Sequence, residues 1–275
     1  MGFKVLNGKT FVVTGVSSGI GAETARLLRG QGARVLGVDI QEPAIGVEDF
    51  HRADLADPAA LHRLVSALPQ GIDGLANIAG LPPTHPPAAV LKVNLLAPRY
   101  LTRALVPKMN DGSAIVHLAS AAGAGWPRAV STIRESALLD FAGAEAFCLA
   151  HGIAGARSYF FSKEALVAWT IQNRWTWRAR GIRMNAVSPG PVDTPILADF
   201  TRTLGGEADR RKRDLDREGT PADIAPVVAF LLSPASAWIR GVDVAVDGGL
   251  RANALDKLHG LSGEPIPLSS SEEKE

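Results

Sequence analysis

The chain has 275 residues, of which 46% are hydrophobic and 21% charged, with a formal net charge of +1. These values fit one large globular α/β domain and exclude a disordered or fibrous chain. The near-zero charge leaves no strong field for nucleic acid or an anionic membrane surface.

The basic run Arg210-Arg211-Lys212-Arg213 is flanked by acids and reads as a solvated helix face. A single cysteine, Cys148, rules out an intramolecular disulfide and a cysteine-based metal site. The six histidines show no ligand-like spacing, so no metal is expected. No apolar run approaches the roughly 20 residues of a membrane helix. The start at Met1 leads into a strand with no room for a signal peptide, so the expectation is a soluble, cytoplasmic protein.

In chain order, strands are predicted over 10–14, 34–39, 74–77, 113–118, 183–187 and 242–246. Their unbroken Val, Ile, Leu and Ala content suits strands buried on both faces. Helices are predicted over 20–31, 58–67, 98–108, 159–179 and 221–232. Thr220-Pro221-Ala222-Asp223 carries a capping hydroxyl, a first-turn proline and an acid, a good helix start. The alternation predicts a doubly wound parallel sheet, a Rossmann fold, in one domain over 1–250. Two stretches break it: an insertion at 121–158, helical from about Val130 to Ala150, and a polar tail over 251–275 that should be flexible.

The first strand opens into Thr14-Gly15-Val16-Ser17-Ser18-Gly19-Ile20-Gly21 and then a helix. Gly15 allows the tight turn, Gly19 a close approach to a pyrophosphate, and Gly21 close helix–strand packing. The N–H groups of Ser17, Ser18, Gly19 and Ile20 would face phosphate at the helix N-terminus. About twenty residues on, the second strand ends in Asp39. Its carboxylate would accept both ribose hydroxyls of NAD and repel the 2′-phosphate of NADP; a helix cap is the alternative reading. Arg34 and Arg52 are expected to lie away from that strand end. The cofactor expected is NAD.

Together with Asp54-Leu55, Asn77-Ile78-Ala79-Gly80, Asn94, Ser120, Tyr159-x-x-x-Lys163, Pro189-Gly190 and Val246-Asp247-Gly248-Gly249, this turn resembles the short-chain dehydrogenase/reductase family from about Gly8 to Leu250. The resemblance implies that Asp54 binds the adenine amino group and that Leu55 lies beside the ring. Asn77 and Gly80 would line the cofactor cleft, and Val192 and Thr194 would contact the nicotinamide carboxamide. It also implies a homodimer or homotetramer through the helix holding Tyr159 and its neighbour, with Trp169, Trp175 and Trp177 as candidates for that face or for the core.

Tyr159 and Lys163 are four apart on one helix face. A phenol is a poor base at neutral pH; the Lys163 ammonium and the positive ring of NAD⁺ would both favour phenolate, letting Tyr159 take the alcohol proton. Lys163 would also hold the nicotinamide ribose. Ser120, at the carboxyl edge of its strand, would hydrogen-bond the substrate oxygen. Asn94 would join a proton relay by family analogy, or serve as a backbone-capping amide. A serine-hydrolase reading of Ser120 fails for want of a nucleophile elbow.

Ser120 and Tyr159 stand 39 positions apart, far more than the family's usual spacing. That insertion resembles the hydroxysteroid dehydrogenase/carbonyl reductase branch, whereas Trp126-Pro127 and the 189–197 segment resemble members acting on coniferyl alcohol. Trp126, Pro127, Leu81, Pro82, Pro83, Leu197 and Phe200 suggest an apolar, aromatic pocket, with Trp126 either stacking on a phenolic ring or packing its own loop. The expected activity is NAD-dependent oxidation of an aryl allylic alcohol, or its reverse. The alternatives are a hydroxysteroid dehydrogenase or carbonyl reductase and, remotely, a non-catalytic dinucleotide-binding protein. The partner is a small apolar or aromatic alcohol or carbonyl, with no nucleic acid and no membrane.

Overall fold

The strands are short apolar runs with no polar face, so they need cover on both sides and align in one parallel sheet. The computed structural model describes residues 5–44, 46–204 and 215–262. Among these, seven strands form the sheet: β1 (Thr10–Thr14), β2 (Arg34–Asp39), β3 (Asp49–Arg52), β4 (Ile72–Asn77), β5 (Met109–Leu118), β6 (Arg183–Pro189) and β7 (Asp243–Val246), in the order β3-β2-β1-β4-β5-β6-β7. The winding reverses between β1 and β4, which opens a crevice at their carboxyl ends.

Helices α1 (Gly19–Gly30), α2 (Pro58–Ala67), α3 (Pro87–Leu91), α4 (Ala97–Leu105), α5 (Val130–Glu135), α6 (Ala144–Ala150), α7 (Ala156–Gln172), α8 (Pro195–Leu204), α9 (Pro221–Leu232) and α10 (Leu250–His259) complete the described fold. Two cores flank the sheet. Leu61, Leu101, Phe161 and Trp169 belong to the α2, α4 and α7 side. Leu28, Val35, Ile224 and Val228 belong to the α1 and α9 side. The start of α9 matches its sequence: the N–H and hydroxyl of Thr220 both donate to Asp223, at 2.7 and 2.8 Å.

The structure departs from the expectations at several elements. β3 is a strand where none is predicted, because Asp49-Phe50-His51-Arg52 is a polar edge strand without an apolar run. It places Arg52 in register with Asp39, correcting the expectation that Arg52 lies away from that strand end. Arg34 does lie at the opposite end of β2, paired with Thr10.

The helix predicted over 98–108 begins at Pro87 and passes through a π-helical turn, Lys92–Leu96, before α4. The helix predicted over 159–179 runs as α7 from Ala156 to Gln172 and gives way to turns. The insertion is 3₁₀-helical over Ala121–Ala129, then α5, a turn at Ser136–Leu138 and α6, so its expected single helix is broken near Gly143. It is tied down by Arg99 of α4, whose guanidinium donates to the Ser136 carbonyl at 2.8 Å, and by Arg157, 2.7 Å from the buried Glu164. Leu250–His259 is helical although no helix is predicted there. The start of the chain at residues 1–4, the run Arg210–213 and the tail from 263 onward lie outside the described residues.

Candidate active site

At the crevice, β1 ends in Thr14 and the chain turns through Gly15 with φ 80°. A Cβ on Gly21 would lie 2.0 Å from the Gly15 carbonyl oxygen, so no other residue fits where the helix crosses the strand end. The carboxylate of Asp39 accepts the Ser17 N–H at 3.0 Å and the Ser17 hydroxyl at 2.8 Å. Asp39 is therefore no helix cap. It braces the glycine turn from the end of the neighbouring strand, and Ser18 leads directly into α1 at Gly19. The Asp54 carboxylate accepts the Ala56 N–H at 2.8 Å on the surface, while Leu55 is buried in the core beside it.

The reacting end is an apolar cavity of about 160 Å³, a volume comparable with a site for one aromatic ring. Ser120, Tyr159 and Lys163 supply its polar groups, and Ile20, Gly80, Val192 and Thr194 line it as well. Ser120 follows β5 in extended backbone; its hydroxyl accepts the Ala122 N–H at 3.2 Å, and it shares the cavity wall with the Tyr159 phenol. Lys163 lies one helical turn on, with Nζ 5.5 Å from the centre of the Tyr159 ring and donating to the Leu118 carbonyl at 2.6 Å.

Burial dominates the charges here. It pushes the Tyr159 phenol up to about 12, against the lowering effect of the neighbouring Ser120 hydroxyl. It pulls the Lys163 ammonium down to about 7. Without a ligand, the pair thus favours neutral phenol, and Lys163 does not by itself generate the phenolate anticipated from the sequence.

Asn94 sits in the π-helical turn. Its amide accepts the Leu81 N–H at 2.7 Å and donates to the Leu81 carbonyl at 3.0 Å, and it donates to the Ser162 hydroxyl at 3.3 Å. The alternative expected from sequence, a backbone-capping amide, describes these bonds; they hold the 81–86 loop beside Lys163. Asn77, expected to line the cleft, instead turns into the core, because it is the cross-strand partner of His117. Its Nδ2 lies 3.1 Å from the His117 ring Nδ1.

Trp126 also departs from the stacking expectation. It packs on Ala119, Val167 and Ala186 beneath the insertion and does not line the cavity, while Pro127 is exposed. Leu197 lines the cavity, Leu81 packs against Tyr159 and Val90, and Pro82 and Pro83 are buried. The side chain of Phe200 lies outside the described residues. Phe160, Ile196 and Leu250 line the cavity without having been singled out in the sequence. The signals for them were the placement of Phe160 next to Tyr159 and of Ile196 within the 189–197 segment.

The glycine turn, the open N-terminus of α1 and the carboxylate at the end of β2 suit a dinucleotide lying along the carboxyl edge of the sheet, with its reactive ring in the cavity. The chain belongs to the short-chain dehydrogenase/reductase family, a family of nicotinamide-dinucleotide-dependent oxidoreductases. Residues 9–131 match a family model described as short chain dehydrogenase, and residues 144–251 one described as enoyl-(acyl carrier protein) reductase.

Among curated relatives, coniferyl-alcohol dehydrogenase of a Pseudomonas species is 42% identical, over 89% of this chain and 97% of that protein. The 3-alpha-hydroxysteroid dehydrogenase/carbonyl reductase of Comamonas testosteroni is 29% identical, over 88% and 96%. A solved 3-alpha-hydroxysteroid dehydrogenase from a Pseudomonas species, complexed with NADH, superposes with a TM-score of 0.78 at 28% identity, covering 93% of this chain and 100% of that one. A Burkholderia cenocepacia short chain dehydrogenase in complex with NADP gives 0.69 at 28% identity, covering 90% and 99%. Among the described residues, no helix is long and apolar enough to cross a membrane.

Proposed function

We propose that this chain oxidises an aryl allylic alcohol of the coniferyl alcohol kind to the aldehyde, or reduces the aldehyde, with NAD as cofactor. The observation that carries this reading is the convergence of Ser120, Tyr159 and Lys163 on the wall of one apolar cavity, with the Lys163 ammonium 5.5 Å from the Tyr159 ring. Its substrate class is supported by the 42% identical relative named for coniferyl alcohol.

When bound, the dinucleotide supplies the hydride acceptor or donor and, oxidised, a positive ring. Everything else falls to the chain. Ser120 and Tyr159 hold the substrate oxygen between their hydroxyls, and the Ser120 donor stabilises charge that develops there. Tyr159 takes the proton in oxidation and returns it in reduction. Because burial holds its phenol near 12, added positive charge is needed to reach phenolate; the Lys163 ammonium, 5.5 Å from the ring, and the positive ring of a bound oxidised dinucleotide would supply it together. The apolar walls exclude water and strengthen that attraction.

NAD is favoured over NADP by the Asp39 carboxylate at the ribose end, although Arg52 lies alongside it in register. A hydroxysteroid or other cyclic alcohol is the second reading, supported by the TM-score of 0.78 to a 3-alpha-hydroxysteroid dehydrogenase. We further propose a cytoplasmic homodimer or homotetramer. The test is steady-state oxidation of aryl allylic, steroid and aliphatic alcohols with NAD⁺ and NADP⁺ in parallel. Highest kcat/KM for coniferyl or cinnamyl alcohol with NAD⁺ is expected; preference for a steroid would transfer the assignment to the second reading.

A further inference from the structure

We infer that Leu250, the first residue of α10, forms a specificity wall of the reacting site and meets the ring end of the alcohol, with the Arg251–Asp243 pair positioning it. The inference rests on the function proposed above.

Leu250 lines the cavity on the side of Pro189 and Gly190. The turn that delivers it is pressed onto that loop: the Gly190 N–H donates to the Val246 carbonyl at 3.0 Å, and a Cβ on Gly190 would lie 2.9 Å from the Asp247 Cα. Gly190 is thus required for the close approach. The Asp247 carboxylate then accepts the Gly249 N–H at 3.0 Å and the Arg251 N–H at 2.9 Å. Leu250 therefore sits between two backbone groups held by one side chain.

The Arg251 guanidinium reaches back to Asp243 at 3.0 Å, and the side chain of Asp243 is only 8% exposed. The other oxygen of Asp243 accepts the Ser188 hydroxyl at 2.6 Å, directly before Pro189 in β6. A continuous chain of bonds thus joins the cavity loop to Leu250. No residue of α10 is buried, so hydrophobic packing does not orient this helix. Its direction over the site depends on the polar clamp.

The test uses the full-length Leu250→Ala, Arg251→Ala and Arg251→Lys variants, assayed with cinnamyl alcohol and the ringless allyl alcohol, with NADH affinity followed by fluorescence. Both alanine variants should raise the ratio of the KM for cinnamyl alcohol to that for allyl alcohol roughly tenfold, the scale of a few lost methylene contacts. In Arg251→Ala, kcat and NADH affinity should hold, and Arg251→Lys should recover most of the loss. An unchanged KM ratio in both alanine variants would overturn the inference, as would NADH affinity falling in step with it. If the wild type oxidises no aryl alcohol, the substrate reading fails separately, and the same ratio on the bulkiest cyclic alcohol it does oxidise decides the role of Leu250.

Discussion

Tyr159 and Lys163 are both buried, and burial moves them in opposite directions, the phenol up to about 12 and the ammonium down to about 7. A site at rest with a neutral phenol and a half-charged lysine is poised to respond to added charge, because each group becomes easier to ionise when the other has done so. The proposed preference for NAD rests on Asp39, at the end of β2. Its carboxylate braces Ser17 and stands beside Arg52, so removing it takes away repulsion for a 2′-phosphate and leaves a guanidinium nearby. Asp39→Ser should lower kcat/KM with NAD⁺ by at least roughly tenfold, the scale of one lost charged hydrogen bond, and raise it with NADP⁺. Parallel kinetics with both cofactors measure this. An unaltered preference would place cofactor selection elsewhere.

The β5 strand brings a further titratable group close to the site. His117 is fully buried, 3.1 Å from Asn77 on one side and from the Met184 sulfur on the other, with Trp169 against its ring. Burial, reinforced by the positive charge of Lys163, holds its pKa down to about 3 from an ordinary 6.5. Between those values the unfolded chain binds a proton that the folded chain does not, so stability falls as pH falls from 6.5 toward 3. One such proton costs about 1.4 kcal/mol per pH unit. His117→Asn should flatten the dependence of the urea midpoint on pH over this range; parallel slopes would show that other groups dominate.

At this scale the sheet was legible because strands covered on both faces need unbroken apolar runs. The polar edge strand β3 carried no such signal. Neither did α10, which has no buried face, nor the π-helical turn that aims Asn94 at Leu81. The glycine turn and Tyr159-x-x-x-Lys163 could be read because local geometry restricts those positions. Phe160, Ile196 and Leu250 line the cavity through tertiary packing, which spacing does not encode, and Trp126 was misplaced for the same reason.

For the whole molecule, the tryptophans that are candidates for an interface or the core divide between buried and exposed positions. Trp169, a candidate for an exposed face, is buried under the guanidinium groups of Arg99 and Arg103, and Trp177 packs on the core. Trp175 is 56% exposed beneath Arg174. With Arg99 bonded to Ser136, the insertion lies against α4. Trp238, at 97% exposure, and Val242 stand just before the edge strand β7 and form an exposed apolar surface on which the proposed homo-oligomer can be tested. Trp238→Glu should shift sedimentation of the intact chain toward monomer; an unchanged profile would move the contact to another face.

The proton chemistry proposed for Tyr159 is the core of the proposed dehydrogenase activity, and Tyr159→Phe tests it with the smallest possible change, the loss of one hydroxyl. Turnover of cinnamyl alcohol, followed as NADH formation, should fall by about 10²–10⁴ while NADH still binds with nearly wild-type affinity. Turnover within about tenfold of wild type would contradict the assignment and leave Tyr159 as a packing residue.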